Sequence, residues 1–144
     1  MFDIPILFII FKRPDTTSVV FEQIKKIKPK KLYIASDGPR NESDIEKCLQ
    51  TKKIVENIDW PCEIKRNYSE KNLGCGRRVS SAIDWIFEKE EQAIILEDDC
   101  LPNKDFFLYC KQMLETYKGN EKIMMISGTN YLQQWKDKDV DYFF

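Results

Sequence analysis

The sequence predicts an α/β fold of three layers, in which helices cover both faces of a mostly parallel sheet. Short apolar runs alternate with segments whose apolar residues recur at helical spacing, and this alternation indicates repeated β-α units. The runs are rich in isoleucine, as is usual for parallel strands that helices bury on both faces. The chain has 144 residues, enough for one domain with a real core, and we expect that single domain to span residues 1–144.

The first predicted unit is a strand, a helix and a second strand. The apolar runs at residues 5–11 and 32–36 are the two strands. Between them, apolar residues recur at i, i+4 and i+7, and these are Val20, Ile24 and Ile27. We expect Asp15 to cap this helix and Pro29 to end it.

A second helix and a third strand are predicted next. Ser43 followed by Glu46 matches a capping box, which predicts a helix start at Ser43. One face of this helix carries four apolar residues, Ile45, Cys48, Leu49 and Val55. The third strand is expected near residues 62–66.

The remaining elements repeat the pattern. The third helix has apolar residues at i, i+3, i+4, i+7 and i+8, namely Val79, Ala82, Ile83, Ile86 and Phe87. A fourth strand is predicted at residues 93–97 and a fifth at residues 123–127. Between them, a fourth helix closed by Gly119 has an apolar stripe, which consists of Phe106, Phe107, Cys110, Met113, Leu114 and Tyr117.

Charge and composition exclude several classes of function. Lys and Arg total 23 and Asp and Glu total 24, and this net charge of −1 argues against a nucleic-acid binder. The chain has no histidine, which removes Ser-His-Asp and Cys-His catalysis and histidine-containing zinc sites. Its five cysteines form no CxxC pair, so we expect reduced thiols. No apolar run predicts a transmembrane segment or a signal peptide, and a cytoplasmic protein is expected.

Three consecutive carboxylates end the fourth predicted strand. Glu97, Asp98 and Asp99 directly follow the apolar residues 94–96. A buried carboxylate is costly unless a positive charge neutralises it, and oxygen ligands suit Mg²⁺ or Mn²⁺, commonly together with substrate phosphates. The sequence therefore predicts a site for a metal-bound phosphate ester, whereas the alternative is a solvated acidic loop.

Other strand ends carry residues that suit a phosphate or a nucleotide. Arg13 follows the first strand and is placed to pair with phosphate, although a solvated cation is the alternative. Asp37 follows the second strand and either accepts hydrogen bonds from a base or ribose or makes an Asp-Gly-Pro turn. Two glycines and three cations lead into the third helix, and these are Lys71, Gly74, Gly76, Arg77 and Arg78. They predict a diphosphate site at a helix N-terminus, but they match no standard phosphate-loop pattern, so a capped loop remains the alternative.

The residues around the acidic cluster resemble a known family. The segment Leu96-Glu97-Asp98-Asp99-Cys100-Leu101-Pro102, followed by Asp105-Phe106-Phe107, is similar to the motif of inverting N-acetylglucosaminyltransferases in which the D-x-D of GT-A glycosyltransferases reads E-D-D. The resemblance runs from residue 5 to about residue 132. It implies a Rossmann-like GT-A domain that forms the N-terminal, donor-binding part of a longer glycosyltransferase.

The resemblance also implies a role for each strand end. Asp99 would bind Mn²⁺ or Mg²⁺, while Glu97 and Asp98 would contact ribose, sugar or metal-bound water. The other residues that would bind the nucleotide sugar, in the first instance a UDP-sugar, are Phe11, Arg13, Asp37, Lys71, Gly74 and Arg78. The carbohydrate acceptor is not defined by these residues. The family's general base lies further along the chain. The acids that qualify here by chemistry alone are Asp137, Asp139 and Asp141, for which a solvated charged loop is the favoured alternative.

Two other classes of protein stay open. A sugar-phosphate nucleotidyltransferase should carry a glycine-rich loop after the first strand, but Phe11-Lys12-Arg13-Pro14 has no glycine. A non-catalytic nucleotide-binding or receiver-like module would also use acidic strand ends and magnesium. A receiver would need an acidic pair where Lys12 and Arg13 stand.

Overall fold

The computed structural model describes residues 1–129, which form a parallel four-stranded sheet with helices on both faces. The elements in chain order are β1 (Ile6–Ile10), α1 (Pro14–Ile27), β2 (Lys31–Ser36), α2 (Glu42–Ile54), β3 (Glu63–Tyr68), α3 (Cys75–Phe87), β4 (Ile94–Glu97) and α4 (Lys104–Thr116). The strand order is β3-β2-β1-β4, and every neighbouring pair is parallel. The predicted three-layer α/β fold is thereby confirmed.

Alternate residues of the central strands face two separate cores. On one face, Ile6, Phe8 and Ile10 of β1 pack with α1 and α4 through residues such as Phe21 and Phe107. On the other face, α3 packs through a smaller cluster formed by Leu7, Ile9, Tyr33, Ala35, Ala82 and Ile86. All five residues of β1 are buried, as a parallel strand between two helical layers requires. Within residues 1–129, no helix has the length and apolar character to span a membrane.

The predicted apolar face of α2 is only half right. Cys48 and Val55 are buried, but Ile45 and Leu49 are 44% and 61% exposed. Asp44 and Thr51 take the inward positions instead, because Asp44 forms ion pairs with cations beyond β1 and β2. The predicted capping box is also wrong, since α2 begins at Glu42 with residue 41 as its N-cap.

Three smaller expectations also need correction. Asp15 lies in the first turn of α1, whose N-cap is Arg13. Phe87, assigned to the buried stripe of α3, is 46% exposed. Residues 123–127 are not a strand, and Met124 and Met125 are almost fully exposed. A short apolar run does not by itself select a strand, because it forms one only where a neighbouring strand supplies the hydrogen bonds.

Candidate functional site

A cavity of about 290 Å³ lies at the carboxyl edge of the sheet. It is lined from residues 9–13, 37–40, 72–79 and 97–98, which follow or end the four strands. Open parallel sheets bind ligands at this edge. Of the residues predicted to bind donor or metal, all line the cavity except Lys71, Gly76, Arg77 and Asp99.

The acidic strand end forms a tight turn with one buried carboxylate. The backbone N–H of Cys100 donates to the Glu97 carbonyl at 3.1 Å, which closes the turn. Asp98 is only 4% exposed, whereas Glu97 and Asp99 are exposed. The Asp98 carboxylate accepts hydrogen bonds from the backbone N–H of Phe11 at 2.8 Å and from the hydroxyl of Thr17 at 3.5 Å. Asp98 therefore ties the end of β4 to the end of β1.

Arg13 bridges two of the three acids. Its Nη1 donates to Asp98 Oδ1 at 3.1 Å and also contacts Asp99 Oδ2. Burial opposes the guanidinium charge, but the two carboxylates together raise the pKa of Arg13 above its ordinary value. Burial raises the pKa of Asp98 above its ordinary value, and the Phe11 N–H and the Arg13 charge offset only part of this effect. Arg13 thus supplies positive charge from the protein itself to Asp98 and Asp99.

The three acids do not converge into a metal cage. Within residues 1–129, no group of three or more Asp, Glu or Cys side chains is arranged to hold a metal ion. Mg²⁺ is commonly held by one or two carboxylates together with substrate phosphates and waters. The half-exposed Asp99 fits that kind of site, with its metal shared by a phosphate. The assignment of a metal to Asp99 stays a prediction.

Asp37 holds the loop that precedes α3. Its Oδ1 accepts from the backbone N–H groups of Gly38 and Leu73, both at 2.9 Å. Its Oδ2 accepts from the side-chain amide of Asn72 and the N–H of Gly74, both at 3.1 Å. A carboxylate offers about four acceptor positions, so these four donors saturate Asp37. The predicted contact between Asp37 and a base or ribose would have to replace one of them.

Gly38 allows the same loop to lie directly against the end of β2. A Cβ atom at this position would stand 2.6 Å from the backbone carbon of Lys71 and 2.7 Å from the carbonyl of Glu70. The Asp-Gly-Pro sequence was one of the turn signals, but the glycine is required here by close backbone packing. This packing places residues 72–74 at the wall of the cavity.

Arg78 presents an unused hydrogen-bond donor inside the fold. Its side chain is 4% exposed and lines the cavity, and its Nη2 donates to the backbone carbonyl of Asn67 and to Asn67 Oδ1. Among residues 1–129 its Nε has no hydrogen-bond partner. Burial lowers the pKa of Arg78, an effect that the charge of Asp37 partly opposes. Arg78 places a buried positive charge at the cavity in the first turn of α3, and such a charge favours an anionic ligand.

A second group of charges at the cavity was not among the predicted site residues. Lys12 and Arg40 both line it, and both bind the buried carboxylate of Asp44, at 2.5 Å and 3.2 Å. The Lys12 ammonium and the Arg40 guanidinium each lie 5.7 Å from the centre of the Phe11 ring. The sequence carried no signal for this group, because the inward position of Asp44 on α2 is seen only in the structure.

The remaining predicted residues lie apart from this group. Lys71 is exposed, and only its backbone carbonyl has a described contact, as the acceptor of a 2.6 Å hydrogen bond from Ser69. The candidate bases Asp137, Asp139 and Asp141 lie outside the described residues.

The cavity suits a small ligand that carries phosphate. Four cationic and three acidic side chains line it, so its preference for anions rests on placed donors rather than on a large excess of positive charge. The main donors are the Arg78 guanidinium and the N-terminus of α3. Comparison of the chain with models of protein families, with curated proteins and with solved structures finds no match.

Proposed function

We propose that this chain is the donor-binding part of a metal-dependent glycosyltransferase that uses a nucleotide-diphosphate sugar, in the first instance a UDP-sugar. The observation that carries the proposal is the meeting of two features at one cavity. Glu97 and Asp98 of the acidic turn line it at the end of β4, with Asp99 directly after them, and the buried Arg78 lines it from the first turn of α3. One supplies carboxylates for a divalent cation, and the other supplies donors for phosphate.

The diphosphate is assigned to the Arg78 side of the cavity. The buried Arg78 guanidinium supplies positive charge there, and the N-terminus of α3 has no side-chain cap, which leaves backbone N–H groups for an anion. Phe11 lies beside this region and offers an aromatic surface that Lys12 and Arg40 flank. These residues would hold the donor and orient it against the acidic turn.

Cleavage of a sugar–diphosphate bond leaves a highly charged product. Mn²⁺ or Mg²⁺ on Asp99 would supply electrostatic stabilisation of that leaving diphosphate. Arg13 and Arg78 both line the cavity and would add positive charge from the protein itself. Transfer to an acceptor hydroxyl also needs a general base, and the proposal assigns that role to no residue.

Calorimetric titration with UDP, with and without Mn²⁺, tests the proposal. Wild type should bind UDP in Mn²⁺, and both Asp99→Asn and Arg78→Gln should weaken that binding by about ten-fold or more, the equivalent of about 1.4 kcal/mol. Asp84→Asn is the matched control, because Asp84 is exposed on α3 and outside the cavity. The absence of UDP binding with and without Mn²⁺ would contradict the proposal, as would equal binding by all the variants.

A further inference from the structure

Arg13 occupies the carboxylate to which the metal is assigned. Its guanidinium bridges Asp98 and Asp99 at the rim of the cavity. We infer that Arg13 competes with a divalent cation for Asp99, so that the cation binds together with a phosphate-bearing ligand that draws Arg13 away. This inference rests on the proposed function and adds to it a positioning role for Arg13.

The two acids bridged by Arg13 differ in how they are held. Asp98 keeps the backbone N–H of Phe11 and the Thr17 hydroxyl as donors when Arg13 moves. For Asp99, the contacts within residues 1–129 are the Arg13 guanidinium and the Cys100 thiol, which lies 3.8 Å from Oδ1. Asp99 is therefore the acid released by a movement of Arg13, while Asp98 stays fixed in the fold.

Arg13 is also free enough to change partner. The side chain of Arg13 is 50% exposed, whereas the side chain of Asp98 beside it is 6% exposed. Its backbone is anchored as the N-cap of α1, where its carbonyl accepts from the Thr17 N–H at 2.9 Å. A phosphate in the cavity would offer Arg13 a bidentate partner in place of the carboxylates. The Arg13 guanidinium, which follows β1, would then stabilise the ligand together with Arg78 in the first turn of α3.

This competition couples the binding of the divalent cation to the binding of the phosphate-bearing anion. A divalent cation and a guanidinium on the same carboxylate repel each other, so each lowers the occupancy of the other. If Asp99 pairs with Arg13 for about nine-tenths of the time, the apparent Kd of the cation alone rises about ten-fold. An anion that removes Arg13 restores this affinity, and by linkage the cation strengthens binding of the anion by the same factor.

Electron paramagnetic resonance of free Mn²⁺ measures the first half of this coupling without a nucleotide. Arg13→Gln should bind Mn²⁺ about ten-fold more tightly than wild type, in line with the freed carboxylate. Arg66→Gln removes the same charge from an exposed position of β3 outside the cavity and should leave the affinity unchanged. Arg13→Lys, the conservative variant, keeps the charge but loses the planar guanidinium that bridges the two acids. Its affinity for Mn²⁺ should lie between those of wild type and Arg13→Gln.

Titration of Mn²⁺ in the presence of UDP or pyrophosphate measures the second half, after subtraction of the complex that forms in buffer. Each anion should tighten Mn²⁺ binding to wild type about ten-fold and to Arg13→Gln much less. The inference is overturned if Arg13→Gln and Arg13→Lys bind Mn²⁺ no more tightly than wild type while UDP and Mn²⁺ still bind, in which case the proposed function survives. Tighter Mn²⁺ binding by Arg13→Gln without any binding of UDP would support competition at Asp99 and reject the proposed function.

Discussion

Replacement of Asp37 by asparagine should strongly destabilise the protein, although the two side chains have nearly the same shape. Asp37 is 4% exposed, and its carboxylate accepts four hydrogen bonds. The asparagine oxygen can keep the Gly38 and Leu73 N–H groups. Its amide nitrogen then faces the two remaining donors, the Asn72 amide and the Gly74 N–H, and cannot accept from either.

The structure sets the size of this effect. Two charge-assisted hydrogen bonds are lost at about 2 kcal/mol each, which gives a loss of about 4 kcal/mol in the free energy of unfolding. Domains of this size are stable by about 5–15 kcal/mol, so the variant should still fold but with a much reduced margin. Because the lost bonds hold residues 72–74 against β2, the wall of the cavity should loosen with them.

Urea unfolding followed by circular dichroism measures this loss. The control is Asp84→Asn, which makes the same chemical change at an exposed position of α3 and should shift the free energy by no more than about 0.5 kcal/mol. A loss below about 1 kcal/mol for Asp37→Asn would refute the assignment of Asp37 as the anchor of this loop.

Two further predictions concern the same edge of the sheet. Gly38→Ala should lower the free energy of unfolding in the same urea assay by about 2–3 kcal/mol, because the added Cβ would stand 2.6 Å from the backbone of Lys71. The control is Gly76→Ala, which should be neutral or stabilising because its added Cβ would meet nothing within 4 Å. The stability of the protein should depend on pH through Asp44, because the hydrogen bond from Lys12 holds the pKa of Asp44 below its ordinary value. The contribution of Asp44 to stability is complete above about pH 4 and is lost as the pH falls through its folded-state pKa. Wild type should therefore lose more stability on acidification than Asp44→Asn, and parallel pH profiles of the two proteins would contradict this.

The sheet and its helices could be predicted because their signals are local. The apolar run that became β1 and the regular spacing of apolar residues in α3 follow directly from burial between layers. The face of α2 could not be predicted in this way. Asp44 lies inward because it pairs with Lys12, which is 32 residues away in the chain, and an apolar pattern carries no trace of that pairing.

The location of the candidate site was also accessible from sequence, but its internal contacts were not. Parallel strands bring their carboxyl ends to one edge, so Asp37 and Asp98 had to lie at the same edge. Which donors they meet depends on the path of the loops in three dimensions. Three of the four donors to Asp37 come from a loop 35 to 37 residues later, and Asp98 meets the backbone of Phe11 across 87 residues. Periodicity and motif spacing describe neither contact.

The central position of β1 has a consequence for the order in which the chain can fold. β2 follows soon after β1 in the chain, but the partner on the other side arrives late, since Ile6 pairs with Ile94. During synthesis, the unpaired backbone along that edge of an entirely apolar strand is exposed and able to pair with other chains. Pairing over such a long separation is slow as well. A nascent or truncated chain that ends before β4 is therefore expected to associate with itself through β1.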